Sequence, residues 1–187
     1  MKIGILAVQG AFIEHEKMLT SLGCECIEFR KKSDICPVDG LVFPGGESTV
    51  QGKLLHELDM FDSIKEMIVS GTPVLATCAG LILLAEKISN DDVVHFGTLP
   101  VTVKRNGYGR QLGSFKTTED FKGIGDFEMT FIRAPYIEKT GDDVEVVATV
   151  DGKIVGAKYK NQLGIAFHPE LDDDNRIHKY FIENMIK

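Results

Sequence analysis

The stretch at residues 73–84, Pro-Val-Leu-Ala-Thr-Cys-Ala-Gly-Leu-Ile-Leu-Leu, constrains the fold more than any other. Residues 74–76 are apolar, as a strand covered on both faces requires, and residues 79–84 favour helix. Small residues around Cys78 permit a tight turn between the two elements. A side chain at such a turn lies at the carboxyl edge of the sheet, beside the N–H groups that open the next helix. Cys78 is therefore either a nucleophile with oxyanion donors close by or a buried structural thiol.

Strand and helix patterns alternate over the first ninety residues. Strands are predicted at 2–8, 25–29, 39–43 and 74–76, and helices at 11–22, 48–58, 61–70 and 79–84. This alternation predicts βαβ units and a mainly parallel sheet, which binds ligands beyond the carboxyl ends of its strands. We therefore expect residues 1–187 to form a single three-layer α/β domain.

The second half of the chain has a different pattern. Strand formers and turn residues dominate from 93 to 166, and few helix signals occur there. Strands are predicted at 128–133, 144–150, 153–160 and 162–167, with hairpins at Asp151-Gly152 and Asn161-Gln162 and a final helix after the acidic run at 172–174. These strands are expected as antiparallel additions to the sheet.

Composition excludes several kinds of partner. A net charge of −7 and a pI near 5.2, with no basic segment, argue against nucleic acid. The apolar run at 2–8 is too short for a membrane span and has no cleavage site behind it. The four cysteines are therefore expected as reduced thiols in a cytoplasmic protein. Further ligands are not found near Cys24 and Cys26, so neither a metal nor a cofactor is predicted.

A cysteine nucleophile needs a base that is itself oriented. Of the five histidines, His15 and His56 lie among charges on predicted helices and are expected to be solvated, whereas His95 and His178 have no special setting. His168 follows an apolar strand at the ligand-binding edge, and an extended backbone would place Glu170 on the same side. The carboxylate can then select the tautomer of the imidazole. The alternative is a strand-end histidine capped by a surface glutamate.

The Pro-Gly-Gly-Glu-Ser-Thr segment at 44–49 follows another apolar strand. Paired glycines let backbone N–H groups face a ligand, and Glu47 and Ser48 add polar contacts. The alternative is a glycine turn with Ser48 or Thr49 as helix N-cap. A phosphate loop is excluded because its lysine is missing.

Taken together, these segments resemble the class I glutamine amidotransferases, and more closely the family of glutaminase subunits of pyridoxal 5'-phosphate synthase. The resemblance runs nearly end to end and rests on segments 6–11, 44–49, 77–81, 106–111, 131–135 and 167–170. It implies a flavodoxin-like class I glutaminase fold. The family usually has glycine two residues before the nucleophile, where this chain has Ala76, and we expect a slightly tighter elbow there.

The resemblance also implies a role for each residue. Cys78 would attack the side-chain amide of L-glutamine, His168 would transfer the proton, and Glu170 would orient His168. The family places the oxyanion hole at Gly45, Gly46 and Ala79, and glutamine contacts at Gly46, Glu47, Ser48, Arg105, Ile132 and Arg133. Arginine suits the substrate carboxylate, but Arg110 is a competitor to Arg105 for that role.

The family's partner is a synthase subunit, a barrel that assembles into a large ring and switches the docked glutaminase on. We therefore expect weak activity for the chain alone, with the loop at 9–11 as a candidate contact. Three alternatives stay open at this point. The chain could be a glutaminase of another pathway, a cysteine hydrolase or chaperone with a similar elbow, or a non-catalytic binding module.

Overall fold

The computed structural model describes residues 1–108 and 113–186. Its first half alternates strand and helix, as the sequence predicts. The strands are β1 (Lys2–Leu6), β2 (Glu25–Phe29), β3 (Gly40–Phe43) and β4 (Val74–Thr77), and the helices are α1 (Phe12–Ser21), α2 (Ser48–Glu57), α3 (Phe61–Val69) and α4 (Ala79–Leu84).

The second half is mostly strand. It contains β5 (Ala85–Ile88), β6 (Leu99–Lys104), β7 (Ser114–Phe121), β8 (Gly125–Ile132), β9 (Tyr136–Thr140), β10 (Glu145–Val150), β11 (Lys153–Tyr159) and β12 (Gln162–Ile165), then a 3-10 turn (Pro169–Leu171) and α5 (Arg176–Asn184). The four strands predicted here are present with slightly different ends. Strands β5, β6, β7 and β9 were not individually predicted.

The sheet has a parallel core and an antiparallel extension. Strands β2, β1, β3, β4 and β12 lie side by side in parallel. From β12 the order continues through β11, β10, β7 and β8, and these pairs are antiparallel. The predicted α/β class with antiparallel additions is confirmed. Strand β12 connects the parallel core to the antiparallel extension. It comes late in the chain, but it pairs with β4 of the core on one side and with β11 on the other.

This pairing brings together the two strand ends that carry the candidate catalytic residues. Thr77 lies opposite Ile165 in the parallel register, so both strands end at the same edge. The Cys78 backbone N–H donates to the Ile165 carbonyl at 2.8 Å. Strands β3, β4 and β12 are buried along their whole length, which accounts for their near-continuous apolar sequences.

The turns between β10, β11 and β12 fit the sequence to different degrees. Asp151 and Gly152 both have positive φ, 47° and 73°, as a two-residue hairpin turn of the primed type requires. The next hairpin is displaced by one residue from the prediction, because Lys160 (φ 51°) and Asn161 form the loop and Gln162 already begins β12. Across the part of the chain that the structure describes, no helix combines the length and apolar character needed to cross a bilayer.

Candidate active site

Cys78 occupies a strained turn between β4 and α4. Its φ of 48° and ψ of −99° are unusual for a residue with a side chain. The turn also needs glycine at position 80, because a Cβ there would lie 2.3 Å from the Phe43 carbonyl oxygen. The structure therefore has the sharp elbow that the sequence predicts. Ala76, two residues before the cysteine, is fully buried within β4.

His168 and Glu170 form a buried pair beyond the end of β12. His168 Nδ1 lies 2.8 Å from Glu170 Oε1, and the His168 backbone N–H donates to the Thr130 carbonyl at 2.8 Å. The expected extended backbone is wrong. Residues 169–171 instead form the 3-10 turn, which carries the Glu170 carboxylate back to the imidazole.

The surroundings of this pair shift both pKa values. Burial alone lowers the pKa of His168, but hydrogen bonds and charge interactions with Cys78 and Glu170 outweigh it and raise that pKa to about 10. Burial raises the pKa of Glu170, while His15 and His168 lower it by more, so the net shift is downward. At neutral pH the pair is an imidazolium held by a carboxylate.

The glycine loop at 44–49 packs directly against this pair. A Cβ at Gly45 would lie 2.2 Å from His168 Cε1, so only glycine fits there with the ring in place. The Gly45 carbonyl accepts a hydrogen bond from the Ala11 backbone N–H at 3.0 Å. The Gln9 side-chain oxygen accepts one from the Glu47 backbone N–H at 2.8 Å. The loop at 9–11 is therefore bonded to the wall of the site.

The predicted N-cap of α2 is wrong. Glu47, with an extended backbone, is the N-cap residue and makes no side-chain capping bond, while Ser48 is already the first residue of the helix. The difference has a consequence for the site, because Ser48 is buried at the cavity wall.

A cavity of about 400 Å³ opens at this edge of the sheet, a size suited to a small molecule. It is lined by Gln9, Gly46, Glu47, Ser48, Cys78, Ala79, Ile82, Arg105, Asn106, Ile132, Arg133, Pro135 and His168. Nine of the eleven site residues predicted from the sequence line this cavity. The other two, Gly45 and Glu170, do not line it but contact His168. Arg110 lies outside the described residues.

The charges at the far end of the cavity are paired with each other. Arg105 donates through Nη2 to Glu47 Oε1 at 3.2 Å and through Nη1 to Asp91 Oδ2 at 2.8 Å. The hydrogen bond from the Val93 backbone N–H lowers the pKa of the Asp91 carboxyl, and the hydrogen bond and the charge of Arg105 each lower it by a smaller amount. Arg133 has a left-handed backbone, φ 43°, directly after β8.

Sequence reasoning missed several polar groups around the site. The sequence predicts Gln9 only as part of a partner contact and gives no prediction for Asp91. His15 was expected to be solvated, which is wrong: its side chain is fully buried and lies 3.4 Å from Glu170. His178 is buried as well, whereas His56 is exposed as predicted. The signal lies in the helical spacing: His15 comes three residues after Phe12 and four before Leu19, which places it on the buried face of α1 although its neighbours Glu14 and Glu16 are charged.

No group of three or more histidine, cysteine or acidic side chains is arranged to hold a metal ion within residues 1–108 and 113–186. The four cysteines are free thiols.

The chain matches known proteins over nearly its whole length. The model of the SNO glutamine amidotransferase family matches residues 5–187. The pyridoxal 5'-phosphate synthase subunit PdxT of Desulfitobacterium hafniense (strain DSM 10664 / DCB-2) is 63% identical over 186 residues, covering 99% of this chain and 94% of that protein. The protein of the same name from Streptococcus pneumoniae (strain CGSP14) is 54% identical over 187 residues, covering 98% and 96%.

Solved structures agree with this assignment. A crystal structure of a glutamine amidotransferase superposes with a TM-score of 0.92 at 40% identity, covering 97% of each chain. The PurLQS structure from Thermotoga maritima shares the fold, with a TM-score of 0.71 at 15% identity and coverage of 97% and 96%. The fold, with its cysteine elbow facing a histidine–glutamate pair, is that of the class I glutamine amidotransferases. The chain belongs to the SNO glutamine amidotransferase family.

Proposed function

We propose that the chain is a glutaminase that converts L-glutamine and water to L-glutamate and ammonia through a thioester on Cys78. The observation that carries the proposal is the strained elbow of Cys78 facing the buried His168–Glu170 pair across one cavity. A nucleophile, a base and a group that orients the base are the parts that acyl transfer from an amide needs.

The reaction has two halves. The proton of the Cys78 thiol first passes to His168, the sulfur then attacks the side-chain carbonyl carbon of glutamine, and His168 gives the proton to the departing ammonia. Water then attacks the glutamyl thioester, which releases glutamate and restores the thiol. Because the pKa of His168 is raised to about 10, its imidazole holds the proton at neutral pH and is ready to deliver it.

The negative oxygen of each tetrahedral intermediate would be bound by backbone N–H groups. Ala79 is the first residue of α4, so its N–H is free of intrahelical bonding and lies beside the sulfur. Gly45 and Gly46 would supply the second donor from the facing loop. Donors held by the backbone before substrate arrives are the most effective kind of oxyanion stabilisation.

Charged groups at the far end would hold the amino-acid portion of glutamine. We assign the α-carboxylate to Arg105 and Arg133, and the α-ammonium to Glu47, all of which line the cavity. Ser48 and Ile132 complete the wall around the substrate. The pairs that Arg105 makes with Glu47 and Asp91 would then exchange for substrate contacts on binding.

We further propose that the ammonia is delivered to a pyridoxal 5'-phosphate synthase subunit, a ring-forming barrel on which this chain docks, in the cytoplasm. The names of the relatives at 54% to 63% identity support the partner. The bond between Ala11 and Gly45 supports a docking switch, because a partner that moves the 9–11 loop would move the oxyanion loop with it. In this proposal residues 1–187 act as one glutaminase domain, since one sheet runs through both halves.

The test is ammonia release from L-glutamine, measured for the purified chain alone and with its synthase subunit. We expect slow release alone and a large stimulation by the synthase subunit. Absence of glutamine hydrolysis in both states would contradict the glutaminase proposal. A full rate without the synthase subunit would leave the glutaminase intact and contradict the docking switch.

A further inference from the structure

A row of buried polar groups continues behind Glu170, on the side away from His168. Glu170 Oε1 faces His168, and Oε2 lies 3.4 Å from His15 Nε2. The same His15 nitrogen is 3.1 Å from Thr77 Oγ1, and its other ring nitrogen, Nδ1, is 2.8 Å from His178 Nε2. Both histidines are completely buried, on helices far apart in sequence.

The two ring nitrogens of His178 decide where the protons lie. His178 Nδ1 is buried and has no hydrogen-bond partner among the described residues. A buried N–H without a partner is costlier than a bare ring nitrogen in the same place. The proton of His178 is therefore on Nε2, where it donates to Nδ1 of His15.

This donation fixes the tautomer of His15. Because Nδ1 of His15 accepts, its own proton lies on Nε2, the nitrogen that faces Thr77 and Glu170. A lone pair on that nitrogen would instead repel the carboxylate. Glu170 Oε2 has no hydrogen-bond partner among the described residues. His15 Nε2 lies 3.4 Å from this oxygen and 3.1 Å from Thr77 Oγ1, so its N–H is shared between the carboxylate and the hydroxyl.

We propose that His15 is a positioning residue for the glutaminase reaction: its Nε2–H, set by His178, holds the second carboxylate oxygen of Glu170 and thereby orients His168. The inference rests on the proposed function of the same site. It extends the site by two residues that do not touch the cavity. Buried partners of this kind, which fix a ligand or base through its neighbour, change activity by about 10- to 100-fold when they are removed in metal sites.

The charge states agree with this arrangement. Burial is the main cause that lowers the pKa of His15; His168 adds to this lowering, whereas Glu170 and Glu14 oppose it. Burial, with a contribution from His15, also lowers the pKa of His178, which falls well below its usual value. Both rings are therefore neutral at physiological pH, and His15 acts on Glu170 through a single N–H dipole. A second full charge beside the pair would compete with His168 for the carboxylate.

A series of substitutions at position 15 tests the proposal, with the synthase subunit present. His15→Phe keeps the ring but loses both nitrogens, and we expect kcat to fall about 10- to 100-fold with KM within about twofold. His15→Gln places an amide N–H close to the position of Nε2 and should restore most of the rate. His15→Asn places its amide near Nδ1 and should not.

The pH dependence separates positioning from mere loss of stability. With Glu170 less firmly held, the pKa of His168 should move down in His15→Phe, seen as a shifted limb in the profile of kcat/KM. Leu19→Ala, a buried substitution on the same helix, is the matched control: it should lower the unfolding temperature and leave kcat and the profile unchanged. If His15→Phe behaves like Leu19→Ala, or if the Gln and Asn variants are equally active, the proposal is wrong.

A measurement on the unsubstituted protein covers the case in which His15→Phe does not fold. Nitrogen-15 NMR of the histidine rings should show the proton of His15 on Nε2 and a bare Nδ1. A proton found on Nδ1 would overturn the proposal. The outcomes are distinct from failure of the proposed function, which would appear as absence of glutamine hydrolysis by the unsubstituted protein itself.

Discussion

The two ends of the cavity are held in different ways. At the reacting end, Cys78, His168 and Glu170 are almost completely buried, at 7%, 7% and 4% exposure. Backbone conformation and short hydrogen bonds fix them. At the binding end, the side chains of Arg105 and Glu47 are 20% and 46% exposed, and they are paired with each other.

This difference separates the chemistry from the recognition. The reacting end is buried and is held by backbone conformation and hydrogen bonds, so substitutions there should lower kcat. In the proposed binding mode, the binding end exchanges its own ion pairs for contacts with substrate. Substitutions there should mainly change KM.

The largest effect is expected at the nucleophile. Cys78→Ala, assayed with the synthase subunit, should lower ammonia release by about four orders of magnitude or more, because the proposed thioester forms on this sulfur. The unfolding temperature should change little. Cys36→Ala, which changes a partly buried cysteine outside the cavity, is the control and should keep the rate. Substantial turnover by Cys78→Ala would remove Cys78 from its role.

A methyl group at position 45 tests how rigid the reacting end is. Gly45→Ala puts a Cβ where the His168 ring now lies, so either the ring or the loop must shift. We expect kcat to fall about 100-fold, as for a displacement of about 1 Å in a catalytic group. Gly113→Ala is the comparison, because its Cβ meets nothing within 4 Å. Equal activity of the two variants would show that the loop yields easily.

The binding end should respond through KM. Arg105→Gln and Arg133→Gln each remove a charged donor from the α-carboxylate, and we expect KM to rise about tenfold or more with kcat within about threefold. Steady-state kinetics with varied glutamine measures both constants. The exposed pair of Arg30 with Glu28 offers a control, Arg30→Gln, which should change neither. A fall in kcat alone would place these arginines in the chemistry.

The reacting end should also leave a signature in stability. His168 titrates near pH 6.5 when unfolded and near pH 10 in the folded protein, so the folded form holds more protons between these values. The free energy of unfolding that His168 adds is fully present below pH 6.5. It is lost as pH rises towards 10, by at most about 1.4 kcal/mol per pH unit. Chemical denaturation from pH 6 to 10 should show a steeper loss for the unsubstituted protein than for His168→Asn. Parallel curves would contradict the raised pKa.

The smallest effect is expected at Asp91, which in the proposed binding mode competes with substrate for Arg105. Asp91→Asn weakens a partly buried ion pair near the surface, and the typical strength of surface pairs corresponds to about a twofold change in affinity. KM for glutamine should therefore fall by about twofold at unchanged kcat. An increase in KM would show that Asp91 holds Arg105 in its binding position.

The sequence predicts what local patterns determine. The elbow at Cys78, the glycine loop and the His168-Pro-Glu170 segment are short motifs at strand ends, and the parallel topology brings such ends together. The candidate residues could therefore be placed in one cleft before the structure was known. Even here, the 3-10 turn after His168 and the capping of α2 escaped prediction, because both depend on contacts with other segments.

Contacts between distant segments account for most of what the sequence does not predict. His15 lies between two glutamates on α1, and its partners Thr77 and His178 are 62 and 163 residues away. Strand β7 has a largely polar sequence, Ser-Phe-Lys-Thr-Thr-Glu-Asp-Phe, and is stabilised by pairing with β8 along its length. Neither the partners of His15 nor the pairing of β7 with β8 has a local pattern from which it could be recognised.

The central claim is that Cys78 forms the thioester, and selective alkylation tests it most directly. A glutamine analogue with a diazoketone in place of the side-chain amide should alkylate Cys78, while Cys24, Cys26 and Cys36 stay free. Peptide mass spectrometry locates the label, excess L-glutamine should prevent it, and loss of ammonia release should follow its stoichiometry. Labelling of another cysteine in step with inactivation, or full activity after Cys78 is alkylated, would contradict the account.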